Sequence, residues 1–381
     1  MASAVESGTA PRDPYTIAGG AEQLGGFGPA PAGARRTVAR TGRRRVCANW
    51  LVGQRYDLFF FIGSCLLTVL FLGIYHGLRH LGFAPHAGSV LITYFLFTTV
   101  FDHPHIFQTF SRTHVDRENF ARYRIAHTWG LAAFIAAGFA LSAVGWDPYV
   151  IVFGALFGSW HIIRQHWGIL RAYKAVNNDR DKLDHWIDTA TFYLGAFAFY
   201  LYDYTGNPRQ TIIYGKASAP FPNVPPLIAQ VVWYGFLFSL GCFALRQIWL
   251  LMNGRPIILP KILLMAAALG TRGLVLYFTA TPFLVAEALE TTYHDVQYQG
   301  WMMNFQRKRF PDKRGMVRRW LLMALAYGLI VGVIEIVGLM NPRWSWLFVP
   351  FWMIVLWHYW VEGRIWRMRK QPELRAVLAR G

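Results

Sequence analysis

Nine of the twelve histidines in this 381-residue chain fall at one end of its apolar segments: His103, His105, His114, His127, His161, His166, His185, His294 and His358. Glu290 and Glu362 lie at the same depth, each four residues from a histidine. Imidazole and carboxylate are the ligand types of multi-histidine iron, manganese and zinc sites. Ionisable groups at membrane depth are costly to keep there. A shared metal is the economical reason for them.

Local spacing sorts the candidates. In FLVAEALETTYHDVQYQGW, Glu290 and His294 stand at i and i+4 on one helical face, with Glu287 three residues further back. Asp295 and Gln297 are polar neighbours able to orient that imidazole. WHYWVEGRIWR repeats the relation in reverse with His358 and Glu362. In SWHIIRQHWG, His161 and His166 are five residues apart, about 140° around a regular helix. They serve one site only through local distortion or by reaching different ions, and Arg164 between them can neutralise a carboxylate. In TTVFDHPHIFQTF, Pro104 removes a backbone donor. That break is expected to let His103 and His105 converge, with Asp102 as acceptor for one ring N–H. His114, His127 and His185 are possible additional ligands at helix starts or in a loop. Glu335, alone in LIVGVIEIVGLM, is placed towards the other side of the membrane with no assigned role.

Positioning these residues requires long apolar helices. Runs of about twenty residues occur near 58–78, 88–110, 126–146, 149–171, 186–204, 227–251, 261–280, 283–305, 319–340 and 345–366. Only Thr281-Pro282 separates the seventh from the eighth. The connections alternate in charge. Arg43 to Arg45 precede the first run, and basic clusters follow the second, fourth, sixth, eighth and tenth, whereas the odd-numbered exits are nearly bare. By the positive-inside rule both termini, and the histidine-rich ends, face the cytoplasm. The expected fold is all-α, a polytopic membrane bundle of about ten spans over residues 51–370. Residues 1–50 are expected to be a disordered basic cytoplasmic tail, and 371–381 a second cytoplasmic tail.

Composition agrees. The chain is 54% hydrophobic and 17% aromatic with sixteen Trp, and its mean hydropathy is +0.27. Such apolarity argues against a soluble domain. The net charge of +18 arises in short connections, so it argues for membrane topology and against nucleic acid. Cys47, Cys65 and Cys242 form no CxxC pair, which excludes a thiolate metal motif. The stretch GGAEQLGGFGPAPAGA cannot bury enough apolar surface to order itself, and it precedes a basic run suited to anionic lipid.

In general plan the chain resembles the membrane histidine-box oxygenases: fatty-acid desaturases, sterol and fatty-acid hydroxylases and alkane monooxygenase. His161 and His166 in HIIRQH match the H-x4-H spacing of a first box, while HPH, ETTYH and HYWVE stand where those families carry HxxHH. A second likeness is to the multi-span bacterial carotene-cleaving dioxygenases, with a single iron held by helix-borne histidines. The resemblance implies a non-haem iron centre of one or two ions, or another transition metal, that oxidises a lipophilic substrate with O2. The ligands would be His103, His105, His161, His166, His294, His358, Glu290 and Glu362, and the setting a bacterial inner membrane. No G-x-G-x-x-G loop is present, so electrons would come from a separate ferredoxin, cytochrome or reductase. The alternatives are a haem-binding electron carrier, with axial histidines on facing helices, and a metal or proton transporter.

Overall fold

The computed structural model describes residues 46–82, 88–205, 211–214, 217–368 and 370–379. Most of the tail expected over 1–50 lies outside the described residues. The described chain is a helix bundle. Its long helical segments are α1 (Gln54–His80), α2 (88–115), α3 (Ala126–Ala143), α4 (Asp147–Val176), α5 (Lys182–Asp203), α6 (Pro226–Met252), α7 (Leu259–Phe278), α8 (Phe283–Arg309), α9 (Met316–Met340) and α10 (Val349–Ile365). Each coincides with one apolar run of the sequence. Strands are confined to two short pairs: β1 (Val46–Cys47) parallel with β4 (Ile257–Ile258), and a hairpin of β2 (Thr211–Tyr214) and β3 (Ala217–Pro220).

Five helices, α1, α3, α6, α7 and α9, are long and apolar enough to cross a membrane. This marks the chain as an integral membrane protein. The remaining long helices bury many polar residues; α8 alone buries His294, Asp295, Gln297, Asn304 and Gln306. Outward faces are apolar instead, with Trp129, Phe238, Leu245, Leu322 and Ile330 exposed. An aqueous solvent would penalise that distribution, and lipid does not.

The helix starts follow from local chemistry. Pro148, Pro226, Pro260 and Pro350 occupy first turns, where a missing N–H breaks no helical bond. Asp181 caps α5 by accepting from the Leu183 and Asp184 amides at 2.8 and 3.4 Å. Those amides hold its carboxyl below the usual carboxylate range. The break between α7 and α8 falls over residues 279–282, at the Thr281-Pro282 step.

Two buried devices tie helices together near the basic ends. Asp57 accepts from the amides of Leu51, Val52 and Gly53 and from the Tyr173 hydroxyl, which joins α1 to α4. Lys174 (α4) and Lys261 (α7) share Asp179 and Asp188 (α5), and all four side chains are buried. Within the segment 371–381 expected as a tail, the described residues include a helix. Helix α11 (Pro372–Ala379) packs Leu374 and Val377 against Tyr298, Met302 and Phe305, and Gln371 accepts from Arg112.

Candidate metal centre

Four helices each deliver one histidine to a common point. The imidazole of His105 (α2) lies 5.2 Å from that of His294 (α8), centre to centre. His294 lies 5.0 Å from His161 (α4), His161 lies 5.0 Å from His358 (α10), and His358 lies 4.9 Å from His105. The four rings close a cycle, and neighbouring rings meet edge to face. His166 stands beside it, 6.5 Å from His294 and stacked on Tyr293.

This spacing suits one ion. Nitrogen ligands at about 2.0–2.1 Å put ring centres about 3.2 Å from a metal, hence about 4.5 to 5.2 Å from one another at 90° to tetrahedral angles. The hydrogen-bond inventory points the same way. His105 Nε2, His161 Nε2, His358 Nε2 and both ring nitrogens of His294 and His166 are buried without a partner. Buried polar atoms are normally satisfied, so a concentration of bare imidazole nitrogens calls for a ligand. The ligating atoms of His105, His294 and Asp295 all fall within 4.8 Å of one another. The residues present therefore fit a transition metal bound by histidine nitrogen.

Neighbouring groups orient the rings. Thr109 Oγ1 lies 2.7 Å from His358 Nδ1, and Thr109 in turn contacts Tyr298 and Glu362. This turns Nε2 of His358 into the ring of histidines. Asp295 Oδ1 lies 3.0 Å from His105 Nδ1, and Asp102 Oδ1 lies 3.6 Å from it. Gln165 donates to the His294 carbonyl at 2.9 Å, while Gln297 donates to the Phe61 carbonyl at 2.8 Å.

The structure divides the sequence candidates. His105, His161, His294 and His358 come together, and His166 adjoins them. His103 does not converge with His105. Residues two apart on a helix point about 200° from each other, and the helix is not broken at Pro104. A π-helical stretch, Thr98–Asp102, absorbs the missing donor instead. His103 therefore faces α9, where its Nε2 lies 3.1 Å from Glu335. Glu335 also accepts from Tyr94 at 3.0 Å, so this carboxylate has a structural partner within the bundle. The close approach depends on Gly328 and Gly332. A Cβ at either would sit 2.3 Å from the Thr99 carbonyl oxygen or 2.5 Å from Thr99 Cγ2.

The two carboxylates grouped with the histidines also stand apart from them. Glu290 is engaged by Arg272 at 3.0 Å and by the Tyr200 hydroxyl. Glu362 accepts from Tyr298 and Thr109, and its Oε1 is 4.0 Å from His358 Nδ1, the nitrogen facing away from the cycle. Arg164 donates to Tyr193 at 2.8 Å and is exposed, away from the centre; the inward neighbour is Gln165. His114 and His127 form a separate pair 5.9 Å apart, packed against the buried Trp357, and His127 Nε2 lies 2.9 Å from Asn119. His185 is exposed beside Trp167 and Trp186. Thr109, Tyr298, Gln165 and Glu335 are the contributors that periodicity does not single out.

Comparison with family models, characterised proteins and solved structures returns no match for this chain.

Proposed function

We propose that the chain is an integral-membrane, metal-dependent oxygenase that oxidises a lipophilic substrate at a non-haem centre held by His105, His161, His294 and His358. The observation that carries this reading is the closed cycle of four imidazoles with bare nitrogens in a buried interior. In this reading all ten helices span the membrane, with both termini and the basic connections in the cytoplasm of a bacterial cell.

One ion is favoured over two, because Asp295 is the single carboxylate that comes within ligand distance of the cycle, at His105 and His294. Glu290 is engaged by Arg272 and Glu362 by Tyr298. This favours the likeness to single-iron, helix-borne histidine centres over the di-iron boxes. Bound iron would supply O2 activation and one-electron steps, with electrons from an external ferredoxin, cytochrome or reductase wherever the reaction requires them. The protein's own groups hold the imidazoles: Thr109 orients His358, Asp295 attracts the Nδ1 edge of His105, and Gln165 ties the His294 backbone to α4. Neighbouring imidazoles about 5 Å apart leave no slot for a porphyrin between them, which counts against the haem alternative.

The test is metal analysis with Mössbauer spectroscopy on detergent-purified protein and on His294→Ala and His358→Ala. The wild type is expected to hold about one iron per chain, and each variant at least about tenfold less at the same free metal. Unchanged metal content in both variants, or a Soret band in the wild type, overturns the reading.

A further inference from the structure

Away from the basic ends, a cavity runs from the outer parts of α4 and α10 up to Tyr359, whose ring stacks on His161 at 4.8 Å. Along α4 its lining extends from Gly154 to Ile162, about 12 Å at the helical rise. It is therefore an elongated space that ends at Tyr359, one ring short of the histidine cycle.

Its two walls differ in chemistry. The α4 and α10 wall is largely apolar, built from Gly154, Gly158, Trp352, Leu356 and the Tyr359 ring, with Ser159 as its polar member on α4. The glycines make that wall possible. A Cβ at Gly154 would lie 2.9 Å from the Trp352 ring, and one at Gly158 would lie 2.9 Å from the Tyr359 hydroxyl. The facing wall, from α2, α8 and α9, presents Asp102, Glu287, Glu290 and Glu335. Arg272 and Tyr200 engage Glu290, and His103 and Tyr94 engage Glu335. Glu287 lines the cavity with neither a hydrogen bond nor an ion pair. It stands seven residues from His294 on α8, about 10 Å along the helix.

A wholly apolar chain would leave Glu287 without a partner, whereas an ammonium would supply the one that the fold does not. Resting on the metal-centre reading, we propose that the cavity seats the substrate and that the substrate is a chain-like lipophile bearing an amine. The ammonium pairs with Glu287, and the chain lies along the α4–α10 wall with its far end at Tyr359, beside His161. Glu287 is thus the specificity-determining residue.

Calorimetric titration of the purified full-length protein with n-octylamine, n-octanol and n-octanoate, each below its micellar concentration, tests this. Octylamine is expected to bind at least tenfold more tightly than either analogue, and Glu287→Gln to abolish that preference while metal content stays unchanged. Gly158→Leu, which fills the apolar wall without altering charge, is expected to weaken octylamine and octanol together. Equal or tighter binding of octanol or octanoate overturns the proposal. So does a preference that survives Glu287→Gln, or binding of ammonium chloride as tight as that of octylamine. Amine preference in a protein that holds no metal would leave the seat standing and sink the metal-centre reading; bound metal without amine preference would do the reverse.

Discussion

Helix α4 carries two buried polar clusters eight residues apart, and they are built on opposite principles. At Lys174 the charges are matched: two ammonium groups share Asp179 and Asp188, joining α4, α5 and α7, and Asp188 Oδ1 is the single carboxylate oxygen left bare. At His166 and His161 the polar atoms are left bare, and the nearest groups are further imidazoles with bare nitrogens of their own. A satisfied buried cluster fixes the packing of helices. An unsatisfied one is tolerated only where something else is to be bound. The knot therefore reads as structure and the cycle as site, although both are buried, polar and made of titratable residues.

The largest effect expected from breaking this contrast comes at the knot. Asp188→Ala leaves two buried ammonium groups with Asp179 alone, and removal of one partner from a buried ion cluster costs about 3–5 kcal/mol. A marked fall in melting temperature is expected, read by intrinsic fluorescence in detergent. Metal per folded chain should stay at the wild-type level. Loss of metal in the folded fraction would show that the two clusters are one functional unit.

Next in size is a change that touches the cycle only through an orienting group. Thr109→Val keeps the side-chain shape but removes the oxygen 2.7 Å from His358 Nδ1. Metal affinity is expected to fall about 10–100-fold, with Thr109→Ser restoring it and the melting temperature of the metal-free protein little changed. A competitive chelator titration reads the difference. If affinity holds, His358 is oriented by packing and the hydroxyl adds nothing.

These contrasts also show what is legible in the sequence. The helices are legible, because apolar runs recur along the chain; the proline-marked starts at Pro148 and Pro260, and the break at Thr281-Pro282, are visible as residues. The four histidines of the cycle are legible as a residue type recurring on several of those helices. Rotation is not. Hydropathy says that His103 and His105 lie at one level and helical geometry that they point about 200° apart, but which of the two faces the cycle follows from the π-helical stretch before them. Pairing is illegible in the same way. Glu290 meets Arg272 only because α7 packs beside α8, and Glu335 reaches His103 only because α9 closes on Thr99. The available signal for that last contact is Gly328-x3-Gly332 three residues before Glu335, a small-residue face that invites close approach.

The smallest expected effect sharpens the boundary of the site. His114 lies beyond the apolar part of α2, packed 5.1 Å from Phe110 and 6.0 Å from Trp357, with Nδ1 2.8 Å from Thr113 Oγ1. Burial holds its imidazole below the ordinary value of 6.5. An unfolded chain therefore takes up a proton near pH 6.5 that the folded chain resists until lower pH. In that window the unfolded state binds more protons, so stability rises as pH climbs towards 6.5 and this contribution is flat above it. His114→Gln should flatten that part of the rise in denaturation measured between pH 5 and 8, and leave metal content unchanged at every pH. A variant that lost metal would move His114 from the packing around Trp357 into the centre itself.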